Sequence, residues 1–279
     1  MFLLKQILPA VLLAMTVAAV VQGLALWRGT ARAQRALTPV AIALGYFCGH
    51  FLVTGWTVFP PTDTTNWLPY FGLAAAAVGI LWEAFPKARN VRLSLLVLLA
   101  VGALRLLLEP KFRYAWVPPQ GWIWVICLGC GIAVLGVVLR TLVRRSSAAI
   151  EYPSFLLVVG AGSSGALMLS GSMLLGQLGA LFVGSIFGAM IISLRSTVGN
   201  DGSVPVFSVL LGTLLASGYF FAELPASSAV LLAAAPVLAF IPTGRLSAPP
   251  RTALRIILVS LPVLAGVILA FRASPPLDY

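Results

Sequence analysis

Residues 152–195 read YPSFLLVVGAGSSGALMLSGSMLLGQLGALFVGSIFGAMIISLR, and this stretch decides the fold because it carries no charge before its last residue. About forty apolar residues would make a helix of roughly 60 Å, which is twice the hydrocarbon thickness of a bilayer, roughly 30 Å. The stretch must therefore turn once, and the Ser and Gly residues within 170–176 mark the turn. It predicts two membrane-spanning helices packed closely together.

Small residues recur every four positions in both predicted helices. After the turn they are Ser172, Gly176, Ala180, Gly184 and Gly188. Before it they are Gly160 and Ser164, or Ala161 and Gly165, or Gly162, Ala166 and Ser170. In lipid, close van der Waals contact between such faces drives helix association, because burial of apolar area gains little there. The faces therefore indicate tight packing. A second interpretation is that they line a solute path together with Gln177, with backbone and hydroxyl groups replacing hydration water.

The composition places the whole chain in a membrane. Hydrophobic residues make up 60% of it and charged residues 9%, with a mean hydropathy of +1.04, whereas about a quarter of the residues in soluble domains are charged. The apolar runs are also too long, and alternate too little, for the strands of an outer-membrane barrel. We expect an all-α, polytopic integral membrane bundle, with one transmembrane domain over residues 1–279 and no soluble domain.

Apolar runs and turn residues predict about ten transmembrane helices, with nine or eleven as alternatives. The first five are expected at 7–27, 38–59, 70–85, 93–108 and 122–142, and the next two lie within 152–195. The last three are expected at 206–222, from the turn after 222 to about 241, and at 256–271. Pro60 and Pro61 are expected to stop the second helix, and Pro39 is placed in its first turn. Pro236 and Pro262 fall inside predicted helices and are expected to kink them.

The basic residues predict the orientation. Thirteen of the 18 Lys and Arg residues fall in loops that this helix order assigns to the cytoplasm, and cytoplasmic loops are the ones enriched in such residues. A cleaved signal at the start would place Arg28, Arg32 and Arg35 outside, so 7–27 is kept as a helix. We expect a bacterial inner-membrane protein with both termini outside. Topology also accounts for the net charge of +11, so no nucleic-acid partner is predicted.

The chain also divides into possible halves, 1–150 and 151–279. Residues 44–80 and 211–241 each run from an aromatic helix end through a proline-containing turn into an alanine-rich helix. Two halves of five helices would have opposite orientations, as in the inverted repeats of many secondary transporters.

His50, the one histidine, is predicted near the middle of the second helix. An ionisable residue at membrane depth is a functional hypothesis by default, and imidazole titrates near neutral pH, which suits a proton relay. A neutral histidine hydrogen-bonded between helices explains the residue as well. Cys127 and Cys130 have CxxC spacing, but without a second pair or a histidine partner they are better explained as apolar helix residues.

The remaining charges have structural explanations. Arg105 with Glu109, and Glu83 with Lys87, have the spacing of ion pairs one helical turn apart. The carboxylates expected outside, on Asp63, Glu109 and Glu223, would suit acid/base work only if they met. No nucleophile elbow, zinc-protease or phosphate-binding motif is present, so we predict no catalytic residue, metal site or cofactor.

Three functional classes remain open. The first is a permease-like protein for a small neutral or weakly polar solute, with His50 and the glycine face near its path. The second is a non-catalytic subunit or assembly factor of a larger membrane complex, and the third is a membrane enzyme acting on a lipid-linked substrate. Expected partners are the lipid bilayer and, through the small-residue faces, a second copy of the chain or other membrane subunits.

Overall fold

The structure, a computed structural model, describes residues 2–27, 29–56, 59–85, 88–146, 150–194, 201–242 and 248–274. Within these ranges the chain forms helices and no strands. Nine helices of the described part are long and apolar enough to cross a membrane, and a shorter apolar segment covers Ala226–Phe240. The prediction of an all-α polytopic bundle is therefore confirmed, and the protein is embedded in a membrane.

The described residues form eleven α-helices and two 3₁₀ segments. The α-helices are α1 (Phe2–Trp27), α2 (Ala31–Thr54), α3 (Leu68–Ala84), α4 (Arg89–Leu107), α5 (Glu109–Tyr114), α6 (Pro118–Arg145), α7 (Glu151–Leu169), α8 (Met173–Ser193), α9 (Ser203–Phe221), α10 (Ala226–Ala234) and α11 (Ala248–Ala273). The 3₁₀ segments are Thr64–Trp67, before α3, and Ala235–Phe240, after α10. The turn expected within 170–176 is confirmed between α7 and α8, where Gly171 has a φ of 86°.

The second helix was placed too late in the chain. It begins at Ala31 and ends at Thr54, before the prolines that were expected to stop it. Gly55 ends it instead: its amide donates to the Phe51 carbonyl and its φ is 76°, the left-handed geometry of a helix C-terminus. Pro39 consequently lies inside α2 rather than in its first turn.

The segment containing Pro236 changes helix type where a kink was predicted. α10 ends at Ala234 and continues as the 3₁₀ segment Ala235–Phe240. Proline lacks the amide donor of an α-helix interior and its ring crowds the preceding turn. A 3₁₀ helix rises about 2 Å per residue, so the fifteen residues reach roughly 25 Å. Pro262, by contrast, lies within the continuous α11.

Successive spans run in opposite directions between two ends of the bundle. At one end, which we call the basic end, Arg140 and Arg144 of α6 each lie 3.7 Å from the Asp201 carboxylate before α9. Arg255 of α11 there contacts Glu151 of α7 at 2.7 Å. At the opposite end the Glu223 amide, after α9, donates to the Ser170 carbonyl, after α7.

The short tenth segment also joins the two ends. It starts after Glu223 at the opposite end, and its last residue, Phe240, lies under the Arg145 guanidinium at the basic end, 5.2 Å from ring centroid to Cζ. It is shorter than the nine described helices that are long enough to cross a membrane, so a tenth transmembrane crossing stays a prediction.

α9 lies at the centre of the bundle and is the most deeply buried of the described spans. It packs against four helices from residues 1–150, namely α2, α3, α4 and α6. It also packs against three from residues 151–279, namely α7, α8 and α10. α1 packs on both α2 and α8. Helices from 1–150 and 151–279 thus share one apolar core.

Candidate functional site

His50 is fully buried, but it lies one turn before the end of α2 and not near the middle of the helix as predicted, because α2 ends at Thr54. Its Nε2 lies 3.4 Å from Oδ1 of Asn66, which the 3₁₀ turn before α3 places at 8% exposure. The other ring nitrogen, Nδ1, has no hydrogen-bond partner. A buried ring nitrogen without a partner is unfavourable at membrane depth, where water does not satisfy it.

Tyr46 lies one turn before His50 on the same face of α2 and is also fully buried. The two ring centroids are 6.0 Å apart, and the Tyr46 hydroxyl has no hydrogen-bond partner either. We call Tyr46, His50 and Asn66 the histidine cluster. It presents two unsatisfied polar atoms inside the membrane-spanning part of the bundle.

A second group of polar side chains lies along the same helices towards the basic end. The Tyr152 hydroxyl is 3.4 Å from Oγ of Ser203, and with Thr38 and Ser193 these residues line a cavity of about 20 Å³. A cavity needs about 10–15 Å³ to hold one water molecule. The space between α2, α7, α8 and α9 therefore has room for about one water, beside several hydroxyl groups.

Aromatic rings separate the histidine cluster from this cavity. Phe182 of α8 packs edge-on against Tyr46, with centroids 6.2 Å apart, and lies 5.3 Å from Phe207 of α9. Both phenylalanines are buried. Thr38 and His50 are about 18 Å apart along α2. The seam between α2, α8 and α9 thus carries polar groups at both ends and closed aromatic packing between them.

The predicted glycine face of α8 lies in helix–helix contacts. A methyl group added at Gly184 would lie 3.0 Å from Val11 of α1, and one added at Gly188 would overlap the Met15 carbonyl of the same helix. One added at Gly176 would lie 2.7 Å from Met168 of α7.

The remaining predicted residues lie on α7 or at the start of α8. Ser164 donates to the Gly176 carbonyl at 2.8 Å, which joins α7 to α8. A methyl group at Gly160 would lie 3.1 Å from Val183. Ser172 caps α8 by accepting from the Leu175 amide, and Gln177 is half-buried.

The structure does not bring His50 together with the glycine face. The glycines of α8 contact α1 and α7, whereas Phe182 and Ser185 of α8 face α2: a methyl group at Gly45 would lie 3.0 Å from the Ser185 hydroxyl. α8 therefore uses one side for backbone packing and another for the seam.

The three predicted outer carboxylates all lie at the opposite end, each in a separate local setting. Glu109 pairs with Arg113 at 2.5 Å, Asp63 precedes the 3₁₀ turn, and Glu223 follows α9. The expected pairing of Arg105 with Glu109 is wrong, because the helix breaks at Leu108; Arg105 instead lies 4.3 Å over the Phe112 ring. The expected Glu83–Lys87 pair falls partly outside the described residues.

Metal ligands are not grouped in the described part of the chain: no three His, Cys, Asp or Glu side chains there could share an ion. Cys127 and Cys130 are free thiols exposed on the outer face of α6.

Sequence reasoning found His50 but missed the rest of the seam. Tyr46 could have been found, because it precedes His50 by one helical turn. Asn66 and Ser203 could not, since the first lies in a loop and the second is brought to Tyr152 only by tertiary packing. Comparison with protein-family models, curated proteins and solved structures finds no match to the chain, so its function has to be argued from this geometry.

Proposed function

We propose that the protein is a permease-like carrier of a small neutral or weakly polar solute, which passes along the seam between α2, α8 and α9. The observation that carries the proposal is the pair of buried, unsatisfied polar atoms in the histidine cluster, His50 Nδ1 and the Tyr46 hydroxyl. Such atoms destabilise a bundle in lipid unless a ligand satisfies them. A solute with one donor and one acceptor would do so.

The chemistry of the seam favours an uncharged solute. Its polar groups are hydroxyls, an amide and an imidazole, which hydrogen-bond neutral molecules without demanding a counter-ion. The ion pairs among the described residues lie elsewhere, at the helix ends.

The packing favours a carrier over an open channel. Phe182 and Phe207 close the middle of the seam, and the cavity beyond them holds about one water. Passage of a larger molecule therefore requires the Phe182 side chain, or α8 itself, to move. Such closure supports a carrier that alternates between two accessible states through an occluded one.

The proposed setting is a bacterial inner membrane with the basic end in the cytoplasm and both chain termini outside. The enrichment of Lys and Arg in the loops at that end supports this orientation.

The other two classes have weaker support. A complex subunit was inferred from small-residue faces free to dock other chains, but Gly184 and Gly188 are already in contact with α1. An enzyme acting at the opposite end needs carboxylates that act together, and Glu109 is paired with Arg113.

Liposome swelling tests the proposal. Purified protein is reconstituted, and light scattering follows the entry of a panel of solutes: urea, acetamide, glycerol and erythritol. We expect at least one of these solutes to enter liposomes that contain the protein faster than it enters protein-free liposomes. Phe182→Ala should speed that entry several-fold by opening the seam, while Tyr46→Phe should slow it by removing a hydroxyl.

Phe187→Ala is the matched control, since Phe187 lies on the same helix, α8, but its side chain is 41% exposed on the surface of the bundle. It should leave entry unchanged. If no solute enters faster, or if Phe182→Ala and Phe187→Ala alter entry equally while both proteins stay folded, the seam is not a solute path.

A further inference from the structure

An apolar groove of about 420 Å³, open to the side of the bundle, lies between α6, α9 and α10. We propose that it binds one acyl chain of an anionic phospholipid, whose phosphate lies against Arg144 and Arg145. This lipid site is separate from the α2–α8–α9 seam, and its test does not depend on solute transport.

Small residues create the groove. Gly131 of α6 has open space where a side chain would be, with no atom within 4 Å of an added methyl group. Ala229 and Ala233 of α10 form much of the facing wall, and Leu215 of α9 forms part of the floor. From Trp124 to Val138 the groove follows α6 for about 21 Å, two thirds of the bilayer's hydrocarbon thickness.

The lining of the groove fits a hydrocarbon chain. The residues that line it are uncharged and almost all apolar. A single acyl chain is about 4–5 Å wide at van der Waals contact, so its extended form can lie lengthwise in the groove. Together with the charge at the basic end, this lining favours a lipid chain as the occupant.

The charge at the basic end of the groove selects the headgroup. Val237 lines the groove, and one turn further Phe240 lies under Arg145. Both Arg145 and Arg144 are exposed there. Asp201 is shared by Arg144 and Arg140, which leaves positive charge in excess. Exposed guanidinium groups at the membrane surface bind lipid phosphates.

Aromatic rings border the other end of the groove. Trp124 and Tyr219 line it there, with ring centroids 6.0 Å apart. Such rings settle at the headgroup level of the far leaflet. An acyl chain whose phosphate lies at Arg145, roughly 30 Å away along α6, therefore occupies the part of the groove nearer the basic end.

Native mass spectrometry tests the site. Delipidated protein in a mild detergent is titrated with phosphatidylglycerol and, separately, with phosphatidylcholine of the same acyl chains. We expect one phosphatidylglycerol to be retained at least tenfold more tightly than phosphatidylcholine. Gly131→Phe should fill the groove and weaken that binding at least tenfold. Gly102→Phe is the matched control, because Gly102 of α4 is equally open and lies outside the groove.

The headgroup contact has its own variant. Arg145→Gln should weaken phosphatidylglycerol several-fold and leave phosphatidylcholine unchanged, whereas Arg113→Gln, at the opposite end, should change neither. Should Gly131→Phe fail to fold, Val230→Trp narrows the same groove from a position that is 66% exposed. Equal retention of the two lipids would overturn the proposal, and so would undiminished lipid binding by a folded groove-filling variant. It would also be overturned if a protein copurified with the wild-type chain and was lost from the groove-filling variant, because a protein would then occupy the groove.

Discussion

Gly165 and Gly188 belong to the small-residue patterns of residues 152–195. The structure nevertheless predicts opposite changes in stability when each is replaced by alanine. A methyl group at Gly188 would overlap the Met15 carbonyl oxygen and lie 2.9 Å from its carbonyl carbon. At Gly165 nothing lies within 4 Å of the added methyl group. Each change adds the same atoms to the interior of a helix, so they differ mainly in what the methyl group meets.

The magnitudes follow from two opposing effects. Alanine is favoured over glycine inside a helix by about 1 kcal/mol, and this gain applies at both positions. Overpacking costs about 1–3 kcal/mol, and the upper part of that range applies at Gly188, because the contacted atoms are rigid backbone. Gly165→Ala should therefore stabilise the protein by up to about 1 kcal/mol, and Gly188→Ala should destabilise it by about 1–2 kcal/mol. The difference, about 2–3 kcal/mol, is more than tenfold in the unfolding equilibrium.

Equilibrium unfolding in mixed micelles, titrated with sodium dodecyl sulfate and followed by tryptophan fluorescence, measures both free energies. Gly102→Ala, another open position, is a second control and should behave like Gly165→Ala. If Gly188→Ala is as stable as Gly165→Ala, then α1 and α8 are not in backbone contact at Gly188, and the packing described here is wrong.

Two further predictions use the same assay. Tyr46→Phe should raise the free energy of unfolding by about 1 kcal/mol, because it removes a buried hydroxyl that has no partner; lower stability would mean that the hydroxyl is satisfied. Glu151→Gln should lower it by about 3–5 kcal/mol, since the Glu151 side chain is 1% exposed and pairs with Arg255. Glu109→Gln, in the exposed pair with Arg113, should cost less than about 1 kcal/mol, and equal losses for the two carboxylates would contradict the difference in burial.

The fold class could be predicted from the sequence because lipid imposes a simple rule: backbone groups must be satisfied within a helix, so long apolar runs become helices. The predictions of helix ends and ion pairs were wrong where local backbone geometry decides the outcome. A glycine with positive φ, Gly55, ends α2 before the double proline does, and the break at Leu108 separates Arg105 from Glu109. A proline in an apolar run did not reveal whether the helix would kink or change to a 3₁₀ form.

The site was less accessible to sequence reasoning. Four-residue spacing identified the glycines, but it could not say that Gly188 meets a backbone and Gly165 meets open space. That distinction depends on which helix lies opposite. In the same way, the partner of His50 comes from a loop sixteen residues away, and no periodic pattern points to it.

The short segment Ala226–Phe240 has a consequence for the surrounding bilayer. Its roughly 25 Å is shorter than the hydrocarbon thickness of an average membrane, roughly 30 Å, even with the extra rise of the 3₁₀ part. If this segment crosses the bilayer, lipids beside it have to shorten to meet it, at a cost of fractions of a kcal/mol for each ångström of mismatch. We therefore expect the bilayer to be thinner beside Ala226–Phe240 and the protein to partition into thinner membrane regions.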